Sequence, residues 1–92
     1  MAHYVYILFS WNDRKLYIGE STDVRRRLLD HNEGRVASTR NRRPFELIRV
    51  EEFATRYEAS KRERFLKSPA GWKETKNIKK TFSSPRGVAQ SG

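Results

Sequence analysis

The 92-residue chain carries 20 Lys and Arg residues against 11 Asp and Glu residues, a formal net charge of +9 at pH 7. This length fits one small domain, which removes roughly 60% of its unfolded surface from water. No segment approaches the roughly 20 apolar residues that cross a bilayer, and the amino end lacks the order of a secretory signal. We therefore expect a cytoplasmic protein that does not bind membranes, and the absence of cysteine excludes disulfides, thiolate catalysis and thiolate zinc sites.

The positive charge favours a polyanionic partner. A compact basic domain most often binds nucleic acid. The alternative is a small soluble protein that is basic without any such partner.

The chain opens with a predicted β-hairpin. Residues 4–9, YVYILF, are aromatic and β-branched, residues 11–14 are turn formers, and LYIGE from Leu16 is a second strand. One face of this hairpin is ordinary core and consists of Val5, Ile7, Phe9, Leu16 and Ile18.

The opposite face of the hairpin carries three tyrosines, Tyr4, Tyr6 and Tyr17. If the turn closes around residues 11–14, Leu8 pairs with Tyr17 and Tyr6 pairs with Gly19. Tyr6 and Tyr17 are then diagonal neighbours, and Gly19 leaves an open space beside them. Tyrosines in strands are most often packing residues, which is the structural alternative for both.

A short helix containing residues 25–31 follows, with Ser21 or Thr22 as its N-cap and Gly34 as its stop. Its buried stripe has the spacing i, i+3, i+4, i+7 and consists of Val24, Arg27, Leu28 and His31. Two members of this stripe are not apolar. Either they snorkel or form local hydrogen bonds, or they face a functional cleft.

Residues 35–44 are basic and irregular, residues 45–50 predict a third strand, and a second helix runs from Thr55 to about Lys67. Its inward stripe consists of Ala59, Arg62, Glu63 and Leu66. An ionised carboxylate buried without a partner is costly, so either a cation binds Glu63 or the helix is rotated. The alternative is a surface ion pair with Lys67 at i+4.

Ser68 and Pro69 predict the start of a third helix over residues 70–80, anchored by Trp72 and Ile78. The remaining string, SSPRGVAQSG, is predicted to be a disordered tail over residues 83–92.

The order β-β-α-β-α-α predicts a single α+β domain over residues 1–82, with helices on a small, three-stranded and at least partly antiparallel sheet.

Two phenols, an arginine, a histidine and a carboxylate thus point inward from separate elements. This set suits phosphodiester hydrolysis. A phenol whose pKa falls from about 10 beside a positive cluster can take a proton from water. Arginine binds two phosphate oxygens, and one carboxylate suffices for a largely hydrated Mg²⁺ or Mn²⁺ ion.

Four segments carry a family resemblance, namely VYIL, LYIGESTDVRRRLLDHNEG, STRNRRPFELI and EASKRERFLKS. With them the chain resembles GIY-YIG nuclease domains, in particular compact stand-alone bacterial proteins related to the incision module of excision-repair nucleases. The resemblance implies a Mg²⁺- or Mn²⁺-dependent site. Its implied residues are the motif tyrosines Tyr6 and Tyr17, the active-site glycine Gly19, the catalytic Arg27, the assisting His31 and the metal ligand Glu63.

Two departures from the family pattern stand out. Tyr4 occupies the usual glycine position of the first half-motif, and Glu20 follows the second one in place of a lysine or a small residue. Family members often carry a separate DNA-binding domain, and none is evident in these 92 residues. We expect substrate selection from a protein partner or from a basic loop whose nucleic-acid-binding residues are Arg35, Arg40, Arg42 and Arg43.

The leading hypothesis is therefore a metal-dependent endonuclease acting on structured or damaged DNA, as in DNA repair. The first alternative is a nucleic-acid-binding module with the same fold and little turnover. The second is a structure-specific RNA nuclease, because phosphate chemistry alone does not choose the sugar.

Overall fold

The computed structural model describes residues 1–83; the predicted tail lies outside the described residues except for Ser83, which ends the last helix. The elements are three strands and three helices: β1 His3–Ser10, β2 Leu16–Ser21, α1 Val24–Asn32, β3 Phe45–Phe53, α2 Arg56–Lys67 and α3 Trp72–Ser83. This order confirms the predicted α+β class. The basic loop is more regular than predicted, because Ala37–Arg42 forms a 3₁₀ helix.

The sheet is antiparallel throughout, in the order β2-β1-β3. Leu8 pairs with Tyr17 and Tyr6 with Gly19, which confirms the predicted hairpin register. β3 is longer than predicted and runs to Phe53. Because β1 lies between two partners, its residues from Val5 onward are buried on both faces.

The two faces of β1 contribute to separate apolar clusters. Val5 and Ile7 pack under α2, in a cluster completed by Ile18, Ala59 and Leu66. Tyr6 and Leu8 point the other way and pack with Phe45, Val24 and Leu28 beneath α1. The tyrosine face is therefore covered by α1, whereas α2 covers the aliphatic face.

Short polar side chains cap the first turns of α1 and α2. Asp23 caps α1 by accepting a hydrogen bond from the Arg26 backbone N–H at 3.1 Å. The predicted caps Ser21 and Thr22 are therefore wrong, since Ser21 Oγ instead accepts from the Asp23 backbone N–H at 2.9 Å and ends β2. Thr55 caps α2 as predicted.

The start of α3 differs from the prediction. Pro69–Gly71 forms a 3₁₀ turn, and Ser68 Oγ donates to the Phe65 carbonyl, so this side chain caps the end of α2 and not the start of α3. Gly71 packs so closely on the end of α2 that a Cβ there would collide with backbone atoms. Helix α3 begins beyond that contact at Trp72, which is 58% exposed, so its predicted role as an anchor is wrong. Ile78 packs on the core as expected.

A charged network joins α2, β3 and α3. Arg62 donates to both carboxylate oxygens of Glu51, at 2.7 and 3.0 Å, and to Glu74 at 3.1 Å. These hydrogen bonds hold the pKa of Glu51 and of Glu74 below their usual values. This network explains why the inward stripe of α2 contains Arg62 beside Glu63. The Arg62 guanidinium joins α2 to Glu51 on β3 and to Glu74 on α3.

Within residues 1–83, no helix combines the length and the apolar character that crossing a bilayer requires.

Replacing Arg62 with Met should lower the free energy of unfolding by about 1–3 kcal/mol at pH 7, because Glu51 loses its main partner. The pKa of Glu51 lies below its unfolded value of 4.5, so the network stabilises above that pH and fades as pH falls through the folded pKa. Urea titrations at pH 7 and in acid should therefore show the variant and the wild type converging. Lys61→Met, an exposed change on the same helix, is the control; a gap that persists in acid would contradict this assignment.

Candidate active site

A buried hydrogen bond between β1 and α1 forms the centre of the site. The Tyr6 hydroxyl lies 3.0 Å from His31 Nε2, and the two side chains are 1% and 0% exposed. Because α1 starts at Asp23, His31 falls in its last turn, above the tyrosine face of the sheet. The helix stripe thus brings His31 inward, as the sequence predicts.

The second nitrogen of the imidazole is held by a residue that the sequence analysis missed. His31 Nδ1 lies 2.8 Å from Thr39 Oγ1, and the Thr39 hydroxyl donates to the Val36 carbonyl at 3.4 Å. Thr39 therefore accepts from Nδ1–H, which leaves Nε2 as an acceptor for the Tyr6 O–H. Thr39 lies in the 3₁₀ segment of the basic loop, where no periodic pattern marks a buried position.

Both members of this pair are electrically neutral near pH 7. Burial raises the pKa of Tyr6 to about 12; the neighbouring Tyr17 adds to the rise and Arg27 opposes it. Burial, aided by the charge of Arg27, lowers the pKa of His31 below its usual value. The expectation of a phenol with a lowered pKa is therefore wrong for Tyr6, because desolvation outweighs the positive surroundings.

Gly19 leaves no open space beside the tyrosines, contrary to expectation. A Cβ built on Gly19 would lie 2.5 Å from both Cζ and the hydroxyl oxygen of Tyr6. The Tyr6 ring crosses directly over the Gly19 backbone to reach His31. The glycine is needed for this close approach.

Tyr17 stands at the same site with a free hydroxyl. Its ring centroid is 4.7 Å from that of His31 and 6.3 Å from that of Tyr6. No group within residues 1–83 hydrogen-bonds to its hydroxyl. Since Tyr17 is only half-buried, its hydroxyl is the more accessible of the two.

The guanidinium of Arg27 supplies a positive charge at the site. Its side chain is 39% exposed, and its ion pair is a long contact of 3.8 Å with Asp30. A hydrogen bond from Arg27 and its charge act to lower the pKa of Tyr6, and its charge lowers the pKa of His31, so the guanidinium lies close to both. A weakly held, half-exposed guanidinium at this position can transfer to an incoming anion.

Glu63 reaches the site from α2. Its side chain is 22% exposed, and its charge acts on the pKa of Tyr6. Lys67 Nζ donates to Glu63 Oε2 at 2.7 Å, which is the ion pair named by the structural alternative. Across residues 1–83, no group of three or more acidic or histidine side chains surrounds a metal position. Any cation here would have one protein carboxylate and otherwise water or substrate ligands.

The arginines of the basic loop are partly engaged. Arg42 bonds to Asp13 and to the Leu16 carbonyl, at 2.6 and 3.2 Å, and thereby fastens the loop to the hairpin. Arg35 pairs with Asp30 and Glu33. The guanidiniums of Arg40 and Arg43 each donate to one backbone carbonyl and keep further N–H groups for other partners.

Two tyrosines of a small antiparallel sheet thus lie beside a histidine and an arginine from the flanking helix α1. The family described as the GIY-YIG catalytic domain matches residues 2–82, and the chain belongs to this family.

Relatives and a solved structure agree with this assignment. The UPF0213 protein of Haloquadratum walsbyi is 48% identical over 67 residues, which cover 72% of this chain and 74% of that protein. The UPF0213 protein of Bacillus velezensis is 38% identical over 88 residues, covering 95% and 88%. The solution NMR structure of a UPF0213 protein from Bacillus halodurans has a TM-score of 0.51 and 37% identity, and the match covers 85% of each chain.

Replacing Gly19 with Ala should lower the free energy of unfolding by about 1–3 kcal/mol, because the new methyl group forces Tyr6 away from His31. The matched measurement is a double-mutant cycle with Tyr6→Ala, which removes the ring that the methyl group meets. In the Tyr6→Ala background, Gly19→Ala should cost much less. Equal costs in both backgrounds, measured by urea titration, would show that Gly19 serves another purpose.

Proposed function

We propose that this protein is a divalent-metal-dependent endonuclease that hydrolyses phosphodiester bonds in DNA, with a preference for structured or damaged DNA. The observation that carries the proposal is the neutral Tyr6–His31 pair lying close to a half-exposed Arg27 guanidinium. A buried hydrogen-bonded pair beside a half-exposed cation suits a reaction in which water loses a proton while the phosphate gains negative charge.

The proton path begins at Tyr6. Its O–H already points at His31 Nε2, so the phenol can pass that proton to the imidazole as its oxygen accepts one from the attacking water. Thr39 fixes the imidazole in the tautomer that this transfer requires. Because the pKa of Tyr6 is about 12, its oxygen is a strong base once its own proton has moved.

Arg27 supports the phosphate. Its guanidinium offers a planar fork of N–H groups that matches two phosphate oxygens and stabilises the charge that develops on them. Its long, partly exposed ion pair with Asp30 costs little to give up. The hydroxyl of Tyr17, to which no group within residues 1–83 hydrogen-bonds, is placed to orient the attacking water or a phosphate oxygen.

GIY-YIG nucleases generally depend on a divalent cation, and the donor set fits a single-carboxylate site. Glu63 Oε2 is bonded to Lys67, whereas no hydrogen bond to Oε1 exists within residues 1–83. A bound Mg²⁺ or Mn²⁺ ion would supply Lewis-acid stabilisation of the phosphate and the leaving oxygen. Glu63 would hold the cation, and the substrate phosphate and water would complete its coordination.

The test is cleavage of labelled single-stranded, duplex, flap and bubble DNA, with the matching RNAs, in Mg²⁺, Mn²⁺ or EDTA. We expect metal-dependent cuts in DNA that Arg27→Ala slows by about 10²–10³-fold, with DNA affinity falling only modestly. Arg25→Ala, an exposed arginine two residues earlier on α1, is the matched control. Binding without any cleavage would favour the binding-module alternative, and cuts confined to RNA would favour the RNA nuclease.

Glu63→Gln should abolish metal-dependent cleavage while leaving thermal stability nearly unchanged. The Lys67 ion pair is partly exposed and contributes at most about 1 kcal/mol, so the fold does not depend on the charge. Glu58→Gln, an exposed change on the same helix, should cut normally. If Glu63→Gln unfolds the domain while its folded fraction still cuts, the carboxylate is only a structural ion-pair partner.

A further inference from the structure

An exposed tryptophan lies at the junction of α2 and α3, beside the candidate metal ligand. Trp72 is 58% exposed and lines a groove of about 500 Å³ with Lys67, Ser68 and Pro69. Lys67 is the residue that donates to Glu63 at 2.7 Å. Lys67 therefore connects the groove to the carboxylate of Glu63, the candidate metal ligand.

Helix α3 is held in place by other residues, so packing does not account for the tryptophan at position 72. Helix α3 is held by Ile78 in the core and by Phe82, whose ring centroid is 4.9 Å from that of Phe9. Lys76 Nζ lies 4.6 Å from the centroid of the indole ring of Trp72, while the groove leaves part of the ring open.

Two lysine ammonium groups adjoin the groove: Lys67 lines it, while its Nζ also donates to Glu63, and Lys76 Nζ lies near the indole ring. Residues 64–80 contain a single acidic side chain, Glu74, which is bonded to Arg62. The same segment holds six basic residues, namely Arg64, Lys67, Lys73, Lys76, Lys79 and Lys80. An open aromatic ring among cations is the combination that binds a base and its neighbouring phosphates.

We propose that this groove, formed by Lys67, Ser68, Pro69 and Trp72, binds an unpaired nucleotide of single-stranded DNA, with its base stacked on Trp72 and a phosphate at Lys67. Stacking requires a base whose face is free, and in a duplex the adjacent base pairs cover that face. This inference rests on the proposed nuclease function and defines its substrate class, since the unpaired nucleotide would lie next to the bond cleaved near Glu63.

The first measurement uses tryptophan emission in EDTA, where no cleavage occurs. In a Trp11→Phe chain, Trp72 is the sole tryptophan, and an oligo-dT of about twelve nucleotides should quench its emission. In the matched Trp72→Phe chain, emission from Trp11 should not change. An oligonucleotide of the same length with abasic sugars should bind through its phosphates without quenching; equal quenching by both would overturn the stacking.

The second measurement is the affinity of labelled oligo-dT by fluorescence anisotropy, again in EDTA. Trp72→Ala should weaken binding by between about fivefold and a hundredfold, and Trp72→Phe should recover most of it because the ring remains. Trp11→Phe, a change at a tryptophan of similar exposure, should alter affinity less than twofold. Thermal melting of each variant confirms that the fold is intact.

Unchanged affinity in a folded Trp72→Ala chain would overturn the proposal. So would a dimer, detected by sedimentation, that Trp72→Ala dissociates without affecting oligo-dT binding, because the groove would then bind a second copy. If Trp72-dependent binding is found and no substrate is cut, only the nuclease function fails. If the wild type cuts and Trp72→Ala binds and cuts equally well, only this nucleotide site fails.

Discussion

The hydrogen bond between Tyr6 and His31 is the constraint on which the site depends. Both groups are buried, so each must find a partner, and a missing one would cost about 1–3 kcal/mol. This requirement sets the rotation of α1, which in turn brings Arg27 close to the pair. It also requires a residue without a side chain at position 19 and a hydroxyl at Thr39. Elements distant in sequence are thus fixed by one polar contact.

The second constraint is the position of α2. Its apolar residues pack on the aliphatic face of the sheet, whereas Tyr6 lies on the opposite face. Glu63 acts on the pKa of Tyr6 from α2, whose Ser60, one turn earlier, bonds to Glu20 on β2. The Arg62 network, together with a hydrogen bond from Ser60 to Glu20 on β2, holds the helix in that position. Electrostatic contacts on both sides of α2 thus determine how close the carboxylate comes.

Periodicity was sufficient for those parts of the structure that repeat locally. The two-residue period of the hairpin predicts the Tyr6–Gly19 register, and the helix stripe predicts that Arg27 and His31 face inward. It failed where tertiary contacts decide. Thr39 is buried by a loop that has no period, and Trp72 is turned outward because Gly71 packs against the end of α2. The error at Gly19 has the same origin, since only the folded ring of Tyr6 fills the space beside it.

The burial that raises the pKa of Tyr6 also determines which charges a phosphate meets at the site. With Tyr6 and His31 both neutral, the Arg27 guanidinium is a positive charge close to both of them, whereas the Glu63–Lys67 pair adds no net charge. In the proposed nuclease reaction, a phosphate would be attracted to this charge before any proton moves. Because Arg27 opposes the rise in the pKa of Tyr6, its transfer to a phosphate removes that opposition and makes the Tyr6 oxygen more basic. Substrate binding and base strength are thereby coupled through one side chain.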